Sequence, residues 1–450
     1  MVRQVSPKRT PGWKGVLAVS VAGAAVLWHI LACMESPMAF SPSGKELAFV
    51  TMAPYGHEDL HLIGKHVYRL IVVSNGKRAR VIERTDKHML SAPAWSPDGQ
   101  QLCYLRVPLL TQQQAEKIRS DAKRRRETLK SQPRFPHADA PPTQPTDSEE
   151  GRTLDRALPP LDKAAEFYTN ALAVPPVPVQ LVVRDAKATD VIAATVTVEL
   201  PLLELASDKP GSGLFYLYLL ARPQYAPDGQ WVYFCAGNVV VGVNPKTGAK
   251  RLLAAPAVLA ALSPDGKTIA AAHEEMISFV RTDGSRCTAI RWEKGLSPSG
   301  IAWADNETLA LLSSEGNKVL LYAVDTSGRV RRTQSVPKPQ KDTAGSSGEL
   351  ALAPDGKHVV VGYSREVLFL DAAGKVLHRW QHEKNFMGQP TFSPDGKRVA
   401  MKYMADVEKN MPQVTAIVFF SAEGKELSRV KVPPVAAADL KRPATKTKEE

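Results

Sequence analysis

Three side chains fall in a pattern known from zinc hydrolysis, His57, Glu58 and His61, in the string His57-Glu58-Asp59-Leu60-His61. It satisfies H-E-x-x-H. On a helix, histidines four apart face the same way and hold zinc through two imidazoles, with Glu58 as general base on the metal-bound water. Gly64 and His66 follow, which brings the string close to the longer pattern H-E-x-x-H-x-x-G-x-x-H, although His66 comes one position early. That chemistry needs a long helix backed by a sheet. Here the string sits in TMAPYGHEDLHLIGKHV, a loop between two strand-like runs, with only 56 residues before it, too few for a catalytic domain. A polar surface loop is the first reading, with an adventitious or structural metal site, or a metal-dependent hydrolase, as the alternatives. Elsewhere the chain has no G-x-S-x-G elbow, no G-x-x-x-x-G-K-[ST] or G-x-G-x-x-G phosphate cradle and no DNA-binding zinc pattern. The expectation is a protein that is not an enzyme and needs no cofactor.

The elements around this loop are repeats. The clearest copy is PTFSPDGKRVAMK, Pro390 to Lys402. Ser393 can hydrogen-bond back into a turn, Pro394 presets φ, Asp395 suits the third position and Gly396 the exit. Apolar residues flank the turn on both sides, so the unit reads strand, tight turn, strand. Near-copies surround Pro42, Pro97, Pro227, Pro264 and Pro354, and a worn copy, GIAWADNETLALL, surrounds Asp305. Between them falls a second signal, an apolar strand, a polar turn and a further strand, as in RLIVVSNGKRARVI, VVVGVNPKTGAKRLL and IVFFSAEGKELSRV. The two signals alternate seven times, giving seven four-stranded units. Second strands such as WVYFCAG and HVVVG are apolar on consecutive residues, as a strand squeezed between two neighbouring blades requires. The fold class is all-β, a seven-bladed β-propeller.

These units resemble the WD-like repeats of TolB-type β-propellers, as in the periplasmic TolB protein and the propeller domains of prolyl-oligopeptidase-type peptidases. The resemblance covers residues 36–433 and rests on turn formers. It implies that Asp98, Asp228, Asp265, Asp355 and Asp395 shape turns rather than ring a ligand, and it says little of function, because propellers host unrelated activities. The peptidase branch is unsupported, since nothing after residue 433 could be an α/β-hydrolase domain. A small-ligand enzyme in the propeller channel is a further alternative that no residue specifically supports.

Residues 1–35 read as a signal or membrane anchor. Gly15 to Ala32 is uncharged; Arg3, Lys8, Arg9 and Lys14 precede it, while only Lys45 follows closely. The positive-inside rule then puts the amino terminus in the cytoplasm and the propeller in the periplasm or outside the cell. Ile30-Leu31-Ala32-Cys33 resembles a lipoprotein box, so lipid attachment at Cys33, an uncleaved anchor and ordinary cleavage all stay open.

Blade two carries an insertion, residues 107–177. Thr111 to Lys130 reads as a solvated helix with the basic run Lys123 to Arg126; Gln132 to Pro160 reads as disordered; Leu161 to Ala173 regains helical spacing. The basic run is a charged face, or a contact for acidic lipid headgroups or an acidic partner. Residues 434–450 read as a disordered tail. Cys103 and Cys235 fall in second strands of adjacent blades as small buried hydrophobes, and with Cys33 and Cys287 they form no C-x-x-C pair. The net charge of +12 sits largely in the flanks and the insertion, so a nucleic-acid face is not expected. Together these features imply a membrane-tethered, extracytoplasmic, monomeric propeller that binds a protein partner in the cell envelope.

Overall fold

The computed structural model describes residues 38–434 apart from 55–65, 109–175, 188–190, 202–221, 292–296, 338–348 and shorter stretches at 237–238, 255–256, 258, 274–275, 285–286, 316–317, 328, 364, 382–385, 388–389 and 409–410. Within 109–175 only Gln113, Lys117, Ser120 and Arg124 are described; they are helical and exposed, as the composition of Thr111 to Lys130 leads one to expect. The apolar run Gly15 to Ala32, Cys33, the His57 to His61 string, the Leu161 to Ala173 segment and the tail from 435 lie outside the described residues.

The chain folds as seven consecutive antiparallel sheets. Blade one is Ala39–Phe40 (β1), Glu46–Pro54 (β2), His66–Ser74 (β3) and Arg78–Thr85 (β4). Blade two has His88–Leu90 (β5) and Ala94–Trp95 (β6), both on Gln101–Pro108 (β7), then Pro176–Asp185 (β8) and Ile192–Pro201 (β9). Blade three is Gln224–Tyr225 (β10), Val232–Ala236 (β11), Val239–Val243 (β12) and Lys250–Ala254 (β13). Blade four is Leu259–Leu262 (β14), Thr268–His273 (β15), Met276–Arg281 (β16) and Cys287–Arg291 (β17). Blade five is Ser297–Trp303 (β18), Thr308–Glu315 (β19), Lys318–Asp325 (β20) and Val330–Val336 (β21). Blade six is Glu349–Leu352 (β22), His358–Gly362 (β23), Glu366–Asp371 (β24) and Val376–Gln381 (β25). Blade seven has Phe386–Met387 (β26) and Thr391–Phe392 (β27), both on Arg398–Glu408 (β28), then Met411–Ser421 (β29) and Glu426–Lys431 (β30). The first strands succeed one another around the axis, β1 meeting both β6 and β27.

The repeated turn works as its residues dictate. Ser393 Oγ accepts from Arg398 N–H at 3.0 Å and donates to Asp395 Oδ1 at 2.6 Å, and that carboxylate accepts from Lys397 N–H at 3.1 Å. Gly396 closes the turn onto the Ser393 carbonyl at 2.8 Å with φ of 69°, a conformation that suits glycine. Where alanine replaces the serine, the aspartate still caps the turn: Asp228 accepts from Gln230 N–H at 2.9 Å and Asp355 from Lys357 N–H at 2.9 Å.

These turns also stack in a ring. A Cβ on Gly99 would lie 3.5 Å from Pro42, one on Gly229 3.7 Å from Pro97, and one on Gly44 3.6 Å from Pro394, each proline belonging to the preceding blade. Blade five has no turn proline, and there Asn306 Oδ1 takes over by accepting from Asp265 N–H of blade four at 2.9 Å. Just before each turn stands a large apolar residue, Phe40, Trp95, Tyr225, Leu262, Trp303, Leu352 or Phe392. Several wedge against the preceding blade. Trp303 packs edge-on to Phe279 at 5.8 Å and donates to the Ala261 carbonyl at 2.8 Å, and Trp95 donates to the Ala39 carbonyl at 2.9 Å.

Spacing alone leaves open which terminus lends a strand to close the ring. Neither does, because every blade is built from its own consecutive strands. Side chains close it instead. Leu47, Phe49, Ile71 and Val73 of blade one pack with Ala400, Met404, Ile417 and Phe419 of blade seven. Lys402, fully buried, donates to the Val50 carbonyl at 3.0 Å, and Arg69 donates to the Pro433 carbonyl at 2.6 Å. An ammonium out of water is tolerated only when it finds acceptors.

Candidate functional site

Antiparallel strands that alternate in direction sort their connections onto two faces. The first-to-second and third-to-fourth turns share one face; the second-to-third and fourth-to-first connections share the other. Every connection on the first face spans only three to six residues. The long ones, 55–65, 109–175, 202–223 and 337–348, all leave from the second. The chain also enters β1 at Met38 and leaves β30 toward Pro433 on that second face. The elaboration centres on blade two, whose neighbours in sequence supply the 55–65 loop on one side and the 202–223 connection on the other.

The sequence-predicted metal string therefore belongs to the elaborated face, in the loop that joins β2 to β3, which close on one another with Pro54 opposite His66. His57, Glu58 and His61 lie outside the described residues. Among the described residues no group of three or more His, Cys, Asp and Glu is placed to hold a metal ion. Among the described residues no helix is long and apolar enough to cross a membrane.

Below this face, blades one and two are joined by a buried polar network. Glu83 of β4 accepts from Arg106 Nε of β7 at 2.8 Å and from Arg184 Nη2 of β8 at 2.9 Å, and the Tyr104 hydroxyl donates to the same carboxylate. Arg184 also donates to the Ile82 carbonyl at 3.3 Å. Burial, reinforced by the Glu83 carboxylate, raises the pKa of Tyr104, so the phenol stays protonated as a donor. Burial and the Arg106 cation lower that of His88 on β5. Breaking such a network leaves an uncompensated buried charge, so it fixes how blade two sits on blade one. Sequence reasoning missed it. The available signal was a charged residue inside an apolar strand, Arg106 in QLCYLRVP and Arg184 in PVPVQLVVRD.

Cys103 and Cys235 are free and buried, as their strand positions imply. Burial pushes the Cys235 thiol up to about 12 and raises Cys103 as well, so neither is a ready thiolate nucleophile. The inner strands around the axis carry few titratable residues, His88, Tyr225 and Glu349. The turn aspartates face their own turns, so the described part of the structure gathers them into no ligand ring.

No protein-family model matches the chain, and no curated protein matches it. Among solved structures, the chain is similar to the β-propeller domain of Cps50 (Swd1) from Myceliophteria thermophila, at 13% identity over 57% of this chain and 82% of that one, with a TM-score of 0.42. It is also similar to the C-terminal WD40 domain of Sif2, at 10% identity over 88% of this chain and 85% of that one, with a TM-score of 0.47. At such identities the likeness concerns the fold alone.

Proposed function

We propose that this chain is a membrane-tethered, extracytoplasmic propeller whose elaborated face serves as a binding scaffold for a protein partner of the cell envelope. The observation that carries the reading is the sorting of the chain: all the long connections and both ends of the described chain fall on one face, opposite a ring of short, self-capped turns. Loops on a rigid frame are where binding residues concentrate. The resemblance of the turns to TolB-type repeats agrees with an envelope location.

The tether adds a constraint. Residues 33–38 separate the apolar run from β1 and reach at most about 20 Å when fully extended. An anchored chain thus turns its elaborated face toward the bilayer. The partner is then a membrane protein or a membrane-bound one, and the basic run Lys123 to Arg126 is within reach of acidic headgroups. The test is affinity capture of the full chain from solubilised membranes, beside a chain lacking residues 111–160. A stable envelope protein that co-purifies with the full chain is expected, and its loss on the deletion assigns the contact to the insertion; no envelope protein captured by either chain sinks the reading.

A further inference from the structure

A propeller leaves the outer edge of each blade unpaired, and exposed edges are templates for another strand. Six of the seven outermost strands carry charge against this: Arg78, Arg80 and Arg84 in β4, Lys250 and Arg251 in β13, Arg291 in β17, Arg331 and Arg332 in β21, Arg379 in β25, and Arg429 and Lys431 in β30. The strand β9 carries no arginine or lysine; its one charge, Glu199, and its one proline, Pro201, stand near its end, and from Ile192 to Val198 it reads IAATVTV, with no charge, glycine or proline. Such a stretch, rich in β-branched and small residues, is the composition that pairs most readily with another extended chain.

The strand is also displayed. It pairs with β8 along one edge, from Ile192 opposite Arg184 to Pro201 opposite Pro176, and among the described residues no strand pairs with the other. Val196 and Val198 are buried in the core that joins blades one, two and three, which holds the strand in place. Val191 and Ile192 are 52% and 41% exposed, and Ala193, Thr195 and Thr197 are exposed beside them.

We propose that the free edge of β9 takes an extended, uncharged, β-branched segment of the partner protein as a further strand of blade two. The proposal rests on the scaffold reading and adds where on the scaffold the partner is gripped. Charge selects the occupant. A charged segment finds no counter-ion between Ile192 and Val198, whereas a neutral one gains main-chain hydrogen bonds without burying an unpaired charge. Arginine or lysine meets the same segment at the other six outer strands. Position agrees: β9 ends at Pro201 on the elaborated face, beside the start of β8 where the insertion returns to the blade. A segment reaching in from that face continues down the side of blade two.

The probe is a synthetic peptide of alternating valine and threonine with a lysine pair at one end for solubility, compared with the same peptide N-methylated at alternate residues. The full-length chain is expected to bind the first and not the second. Bound peptide should slow hydrogen exchange across Ile192 to Val198, where the outward amides exchange rapidly in the free protein. Thr195→Lys should weaken binding at least about tenfold, as expected when strand pairing is lost at the centre of the edge. Leu427→Lys, on the outer edge of blade seven, should leave it unchanged. The proposal is overturned by no binding, by equal binding of the methylated peptide, by equal losses in the two lysine variants, or by amides already protected before peptide is added. Failure here leaves the scaffold reading to its own test, since deletion of 111–160 is scored by envelope capture and not by this peptide.

Discussion

The two faces of this propeller are made by the same strands and treated in opposite ways. On one, the first-to-second turns repeat nearly letter for letter, most of them capped by their own aspartate and several seated on the proline of the blade before. On the other, connections range from a few residues to the long stretch between Pro108 and Pro176. A turn that supports its neighbour cannot lengthen without loosening the ring. A connection that supports nothing can grow at small entropic cost, since loop closure rises only with the logarithm of length. The recognisable part of the repeat thus marks the frame, and the unrecognisable part marks where binding can be added.

The comparison breaks most visibly at Gly266. A Cβ there would meet Pro227 Cδ at 2.2 Å, and φ is 71°. Gly266→Ala should cost roughly 2–4 kcal/mol, the sum of a left-handed residue and an overpacked contact. Gly248, on the same face with φ of 74° but nothing within 4 Å, isolates the first term. Gly248→Ala should cost about 1–2 kcal/mol. Thermal or denaturant unfolding of the two variants measures the gap, and equal losses would mean that the turns do not brace one another.

Acid should act on the same face, more gently. The Ser96 hydroxyl and the Gln100 N–H hold the Asp98 carboxyl below its ordinary value, and Ser393 with the Lys397 N–H does the same for Asp395. A carboxylate with a lowered folded-state pKa contributes stability that is fully present above its unfolded value and is lost as pH falls through the folded one. Stability should therefore decline below about pH 4, where an unfolded aspartate begins to protonate. The double variant Asp98→Asn, Asp395→Asn should be less stable at neutral pH and flatter in acid. Unfolding midpoints from pH 7 to pH 2 test this, and parallel curves would exclude the capping carboxylates as the source.

How legible each face was follows from the same asymmetry. Ser393, Pro394, Asp395 and Gly396 act through bonds that span at most five positions in the chain, from Ser393 to Arg398, so their spacing states their geometry. The buried second strands were readable for a similar reason, since Val232 to Cys235 of β11 and β23 show consecutive burial where the sequence is consecutively apolar. Contacts between distant residues were not readable. Lys402 meeting Val50, Arg69 meeting Pro433 and Glu83 meeting Arg184 join residues 352, 364 and 101 positions apart, and nothing local foretells them. The split inner strands of blades two and seven were missed as well, because β5 and β26 are only three and two residues long. The elaborated face was legible only as composition.

On that face the expected effects on stability are small, and this is what sharpens the contrast. Removing residues 111–160 should change the unfolding free energy by less than about 1 kcal/mol, as for surface changes away from packed features, while abolishing envelope capture. A large loss of stability would make the insertion part of the frame.

The smallest effect should come from the one string that resembles a catalyst. If the loop between Pro54 and His66 is a polar connection, His57→Ala with His61→Ala leaves melting temperature and metal content of the purified chain unchanged, and the wild type holds no stoichiometric zinc. Two histidines without a helix to align them bind a metal weakly, because the loop must first be ordered around it. Elemental analysis of both proteins decides the matter. Stoichiometric zinc in the wild type, lost in the double variant, would turn the elaborated face from a binding surface into a candidate hydrolase site with Glu58 as its base, and peptide-cleavage assays would follow.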